Sequence, residues 1–335
     1  MKKTLYTIPL LALSTSAFAA TVTDYGSIEQ DDAYSARIIA REDTTVSYDS
    51  IKSGGVAFTI IHAGSTAVNF EIGSIDVGSG DVNIQPKKGN IQLGDVQAGH
   101  IAVSTNGGNI TLTGNISAAD ASSGFYISGD DGALGGSIIL DGATLSNVEL
   151  RTVSTDASGN VVAGGMIEIS GNTTLSNVFI SAGELQVAEG ANLVVDGVIF
   201  ASRGETSPEN PDIVPTYAGL SLGDNATLTL KGDQPLVLSS LSVGSGVSFV
   251  VELSDEDFAN LDDSEFTFFD VEEGNIDLSG VAFTFTNGTE AKSGTITAGS
   301  GGSITVTNTY SVPEPATATL SLLALVGLCA RRRRA

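Results

Sequence analysis

The chain is 335 residues long and carries 39 acidic against 15 basic side chains, a net charge of −24. A field of that sign disfavours nucleic acid and anionic lipid as partners of its body. A single cysteine excludes an internal disulfide, and two histidines leave little material for His-based metal sites or catalytic triads.

At the front, Lys2 and Lys3 precede an apolar run over 5–13, and Ala17 and Ala19 flank Phe18 in the small-x-small pattern of leader cleavage. Residues 1–19 are therefore expected to be a signal peptide, cut after Ala19 so that the mature chain starts at Ala20. Residues 20–53 hold Tyr25, Tyr34, Tyr48, Arg37, Arg41 and Lys52 and are expected to form an N-terminal cap.

From 54 to 246 helical periodicity is almost absent. Short runs of Ile, Val, Leu and Thr alternate with Gly, Asn, Asp and Ser, the pattern of β-strands between tight turns. A register is visible: GGNITLTG at 107–114, GGSIILDG at 135–142 and GGMIEISG at 164–171 start 28 and 29 residues apart. TLSNV at 144–148 returns at 174–178. Recurrence of residue types at this period predicts a parallel β-helix, or β-solenoid, whose inward Ile, Leu and Val stack from coil to coil. About ten coils at ~4.8 Å each would make a rod on the order of 50 Å long. A β-sandwich or jelly roll is the competing all-β reading. Residues 206–216, with Pro208, Pro211 and Pro215, read as an excursion loop between coils.

Residues 247–310 differ in composition. Phe249, Phe258, Phe266, Phe268, Phe269, Phe283 and Phe285 are seven of the chain's thirteen phenylalanines, and are expected to close the open end of the solenoid, where bare strand edges invite aggregation. Within this cap, 254–261 is the best short-helix candidate, with Ser254 as N-cap and acidic residues in the first turn.

The tail, 311–335, joins three unlike elements: Pro313, Glu314 and Pro315; a 15-residue uncharged apolar stretch over 316–330; and Arg331, Arg332, Arg333 and Arg334. As a helix that stretch spans about 22 Å, short of the ~30 Å hydrocarbon core, so it makes a marginal membrane span. The arginines would hold it at the cytoplasmic side as a stop-transfer flank. The prolines sharpen its start. This order of elements resembles the PEP-CTERM sorting signal of exported proteins of Gram-negative bacteria. The resemblance implies recognition and processing at Pro313, Glu314 and Pro315 by an exosortase-like enzyme, after export by the secretion machinery. It also implies attachment to the cell envelope and a link to extracellular polysaccharide. An ordinary C-terminal anchor is the alternative. The body, by composition, resembles the β-helical passengers of autotransporter-type surface proteins. Without the two ends, 21–315 keeps 39 acidic and nine basic residues, a net charge of −30.

Chemistry-bearing patterns in the body are sparse. Gly219, Ser221 and Gly223 match GxSxG, but no helix is expected after them and both His62 and His100 precede the serine, against the order of α/β-hydrolases. His62 and His100 read as strand-end residues. Asp255, Glu256, Asp257, Asp262, Asp263 and Glu265 form the densest carboxylate cluster, without the frame of an EF-hand. Gly78, Gly80 and Asp81, and the segment 129–132, resemble calcium-binding β-roll turns only faintly. Arg151 and Arg203 are the cations available to a glycan-active β-helix, with no carboxylate constellation assignable beside them. The expectation is an exported, non-enzymatic, structural or adhesive surface protein with no catalytic residue, no metal and no cofactor. A calcium-dependent binding module and a polysaccharide-active enzyme stand as rivals.

Overall fold

The computed structural model describes residues 21–30, 34–38, 44–62, 67–129, 136–155, 161–200, 217–232, 235–261, 265–271, 278, 281–298 and 303–311. These form a parallel β-solenoid. Each full coil runs through three strands, one on each of three faces, and each strand pairs in parallel with its counterpart one coil on.

On the first face the rungs include Thr44–Tyr48, Ile110–Leu112, Ile138–Asp141, Met166–Ser170, Glu184–Val187 and Gly219–Leu222. Val68–Asp76 and Ile91–Ala98 are long enough to bend round a corner and serve the first and second faces together. From Thr21–Asp24 to Leu241–Val243 the first face has ten rungs among the described residues. The second face continues to Ala282–Thr286. The third runs from Tyr34–Ile38 through His100–Thr105, Gly124–Gly129, Glu149–Thr155 and Phe179–Ser181 to Ile199–Phe200.

The register expected from the repeats is the one observed. Ile110, Ile138 and Ile167 pair in sequence, as do Leu112, Leu140 and Ile169. Thr144, Leu145 and Ser146 lie opposite Thr174, Leu175 and Ser176. Alternation along each strand sends every second side chain inward. The inward rows therefore make one continuous core, in which Ile110, Ile138, Ile167 and Leu185 are fully buried. Each such side chain contributes about 1.5–3 kcal/mol relative to exposure.

The 28–30 residue period is not the coil length throughout. Ile91 pairs with Ile110 after 19 residues and Ile167 with Leu185 after 18. Leu185 reaches Leu220 only after 35. The inward register is kept from rung to rung, and much of the difference lies in the connections. One of them contains Val161–Gly164, which folds back antiparallel on Glu149–Thr155.

Two side-chain devices hold the corners. Asn69 accepts the Asn90 N–H through its Oδ1 (2.9 Å), Asn90 does the same for Asn109 (2.8 Å), and Asn109 for Ser137 (3.0 Å). Beside this ladder, Gly108 has φ +138°, and a Cβ there would lie 2.2 Å from the Gly89 carbonyl oxygen of the preceding coil. Only glycine permits coils to approach so closely, which explains the second glycine of the repeat at 108 and at 136. At a second corner Asn147 and Asn177, from the two TLSNV copies, are left-handed with φ 57° and 52°, a conformation asparagine tolerates. Asn147 Nδ2 donates to the Ala118 carbonyl at 3.2 Å and Asn177 Nδ2 to Asn147 Oδ1 at 3.4 Å.

Residues 21–53, expected as an N-terminal cap, carry strands that pair in parallel with the next coils, so they build the first rungs themselves. Tyr25 and Tyr48 stack there at 5.2 Å. At the other end parallel pairing stops. Ala282–Thr286, Ala291–Ala298 and Ser303–Ser311 pair antiparallel, and Glu265–Thr267 joins Ser303–Ser311. The phenylalanines fill this closing unit: Phe249 stacks on Phe283 at 4.8 Å and meets Phe269 edge-on at 5.5 Å. The short helix is Asp255–Ala259, with Ser254 as N-cap accepting from the Asp257 N–H. It buries Phe258, over whose ring Lys292 Nζ sits at 4.8 Å.

The leader (1–19), the excursion loop (206–216) and the apolar stretch 316–330 lie outside the described residues. Among the described residues no helix is long and apolar enough to cross a membrane.

Candidate functional site

The outward side of the third face carries an ion pair, a phenol and exposed apolar side chains close together. Its strands place Gly124, Glu149, Phe179 and Ile199 on one outward row, each one rung from the next. Tyr126, Arg151 and Ser181 form the neighbouring row. Residues two apart on a strand share a side, so Glu149 and Arg151 meet on the surface. Arg151 Nη2 lies 2.9 Å and its Nε 3.0 Å from Glu149 Oε1. The pair is partly solvated, which makes it a weak contributor to stability.

Tyr126 lies across Gly124, where an added Cβ would come within 2.5 Å of the phenol oxygen. That oxygen is 3.4 Å from both Glu149 Oε2 and the Ser122 carbonyl. Burial first, and then the Glu149 charge, pushes the phenol pKa above its usual value, so the hydroxyl stays a hydrogen-bond donor. Beyond the ion pair, Phe179 is 41 % and Ile199 51 % exposed.

One rung before Gly124–Gly129 on the same face, His100 Nδ1 is 3.4 Å from Ser123 Oγ and 3.7 Å from Asp120 Oδ2. A nucleophile–base–acid relay needs the serine and the carboxylate on opposite ring nitrogens. Here both approach the same nitrogen, and the fully buried Ser123 accepts the Ile101 N–H at 3.0 Å. The cluster is therefore built as a turn lock. Hydrogen bonds from the Ser122 backbone and side chain, with a smaller effect of His100, hold the Asp120 pKa below the usual carboxylate value.

Other residues singled out in the sequence fall into structural places. Ser221 sits within the strand Gly219–Leu222, which turns directly into Thr227–Lys231, so the GxSxG string forms no strand-to-helix elbow. His62 ends the strand Phe58–His62 and His100 begins His100–Thr105. Asp255, Glu256 and Asp257 occupy the first helical turn, where negative charge suits the helix dipole. Asp255 accepts from Asn287 Nδ2 at 2.7 Å. Gly78 is left-handed, in a turn closed by its N–H donating to Asp76 Oδ1. Among the described residues no group of three or more metal-ligating side chains converges. A groove of about 380 Å³ lies where the first face meets the second, with Asp49 and Glu71 in its wall and glycines 73 and 94 in its floor.

Ala17, Ala19, Pro313, Glu314, Pro315, Arg203, Asp262, Asp263 and Arg331 to Arg334 lie outside the described residues. Arg151 is read from sequence without a carboxylate beside it; the signal that could have found Glu149 is its spacing of two on the same strand. The alignment of Phe179 with Ile199 and Glu149 needed the register.

A family model, the PEP-CTERM protein-sorting motif, matches residues 311–334. The match spans the Pro-Glu-Pro and all four arginines. No curated protein and no solved structure matches the chain. The chain thus carries a sorting motif directly behind its last described strand. Such a motif marks an exported protein, sorted to the cell envelope by an exosortase-type system.

Proposed function

We infer that the chain is a structural or adhesive protein of the outer surface of a Gram-negative cell, associated with extracellular matrix or polysaccharide, and that it works as a scaffold rather than as an enzyme. The observation that carries the reading is the sorting motif at 311–334 placed behind a solenoid of ten rungs. A stack of that kind offers long repetitive faces to a ligand. Its charge supports the reading too, since a body at −30 stays soluble and self-repelling outside the cell.

In this reading Ala17 and Ala19 direct leader cleavage, while Pro313, Glu314 and Pro315 are the site of recognition and processing. Arg331, Arg332, Arg333 and Arg334 hold the marginal apolar helix in the membrane until processing occurs. Mass spectrometry of the mature surface protein tests it. The expected chain begins near Ala20 and ends at or near 313–315. A surface protein that still carries Arg331 to Arg334 would convert the signal into a permanent anchor and overturn the processing step.

A further inference from the structure

We propose that the strip formed by Tyr126, Glu149, Arg151, Phe179 and Ile199 on the third face is a binding site for an extended, uncharged polysaccharide chain. The proposal rests on the surface-protein reading above, because such polymers lie outside the cell.

Three observations carry it. First, among the described residues the exposed large apolar side chains are Tyr25, Ile61, Phe179 and Ile199, and three of these four point outward from the third face. Phe179 and Ile199 are adjacent in the ladder, so their exposed apolar surface is contiguous rather than scattered. Second, the strip sets apolar surface beside hydrogen-bonding groups. Tyr126, the Glu149–Arg151 pair, Phe179 and Ile199 occupy four successive rungs, about 14 Å at the usual strand spacing. A sugar chain presents the complementary series, with C–H faces for the rings and hydroxyls for the phenol, carboxylate and guanidinium. Third, the charge fits. Arg151 and Glu149 neutralise each other across 2.9 Å, while the rest of the body repels acidic polymers.

The dimensions separate a glycan from a protein partner. A stable protein interface takes roughly 800 Å² and 20–30 residues a side. The strip is two side chains wide, which suits a narrow polymer lying along the solenoid axis.

Native electrophoresis of the full mature protein through gels containing hydroxyethylcellulose, galactomannan or alginate tests the proposal. At least one neutral polymer should retard migration while alginate does not. Phe179→Ala and Tyr126→Ala should each weaken the retarding interaction roughly fivefold to tenfold, the value of one aromatic contact. Phe179→Ala removes only an exposed side chain and keeps the fold intact even if Tyr126→Ala unfolds the face. Ile61→Ala, on the same face away from the strip, should change nothing. The proposal is overturned if no neutral polymer retards the protein, if alginate retards it equally, or if Phe179→Ala migrates like the parent. It is also overturned if Phe179→Ala turns a dimer into a monomer, since the strip is then a contact between copies. Normal surface sorting with no glycan binding would sink this site alone and leave the surface-protein reading standing.

Discussion

Replacing Gly108 by alanine isolates what the close coil approach is worth. The new Cβ would sit 2.2 Å from the Gly89 carbonyl oxygen and 2.5 Å from its carbon, where real Cβ atoms essentially never come closer than 3.0 Å. The obstacle is backbone on both sides, so no side chain can swing away. Coils must part locally by about 1 Å, which stretches the Gly89 N–H bond to the Gly107 carbonyl (2.7 Å) and the Ile91 N–H bond to the Asn109 carbonyl (2.8 Å). Losing two such bonds costs about 1 kcal/mol each. Positive φ adds about 1–2 kcal/mol for alanine, giving roughly 3–4 kcal/mol. Gly142→Ala is the control, since Gly142 has φ +67° and nothing within 4 Å of its added Cβ. It should cost only the conformational part, about 1–2 kcal/mol. Urea unfolding followed by circular dichroism reads both. Equal losses in the two variants would refute the claim that coil spacing at this corner depends on glycine.

Ser254→Ala should lower stability by about 1 kcal/mol through the lost N-cap, read as a shift in the urea midpoint; no shift would mean that packing of Phe258 alone holds the helix. Phe249→Ala should cost about 3–5 kcal/mol, because Phe249 is fully buried and contacts both Phe269 and Phe283. Exposure of the closing unit should then appear as increased aggregation, and light scattering unchanged from the parent would count against a capping role. Asp120 binds its proton less readily folded than unfolded, so its contribution is present above its unfolded pKa of about 3.9 and is lost as pH falls through the lower folded value. Asp120→Asn should therefore flatten the fall in melting temperature below about pH 4; parallel curves for parent and variant would remove Asp120 from the acid response.

Where the chain repeats its corner chemistry the sequence is transparent. The three GG motifs and the two TLSNV segments marked adjacent rungs because left-handed asparagines and backbone-touching glycines tolerate few substitutes. The coil length was less legible. The 28–30 residue spacing includes connections of local origin, and the tighter coils, such as Ile91 to Ile110, lack a doubled glycine on both sides. The short helix was readable because a serine followed by three acids satisfies free N–H groups and the dipole together. The parallel pairing of the first rungs is not readable from composition, since a tyrosine such as Tyr48, buried inside the solenoid, and a cation such as Lys52, exposed outside it, look alike in a count of residue types. The third-face strip is hidden in the sequence for a different reason. Its members are spread from 126 to 199, and only the accumulated lengths of the intervening connections bring Phe179 beside Glu149.

The asparagine ladder has a consequence for how such a chain can change. Asn90 and Asn109 stand in equivalent places, each preceded by a glycine whose added Cβ would strike the coil before it. Excising 90–108 joins Gly89 to Asn109 and offers the Asn109 N–H to Asn69. On the other faces it sets Ile116 against Ile75 and Gly124 against Asn83, with inward and outward positions unchanged. The shortened molecule should fold cooperatively and be about 4.8 Å shorter, a difference that small-angle scattering can detect; loss of cooperative unfolding would show that this coil is not interchangeable. Duplication of the same unit would lengthen it by the same step. Length along the solenoid axis would thus change in whole modules, gained or lost without redesigning either end.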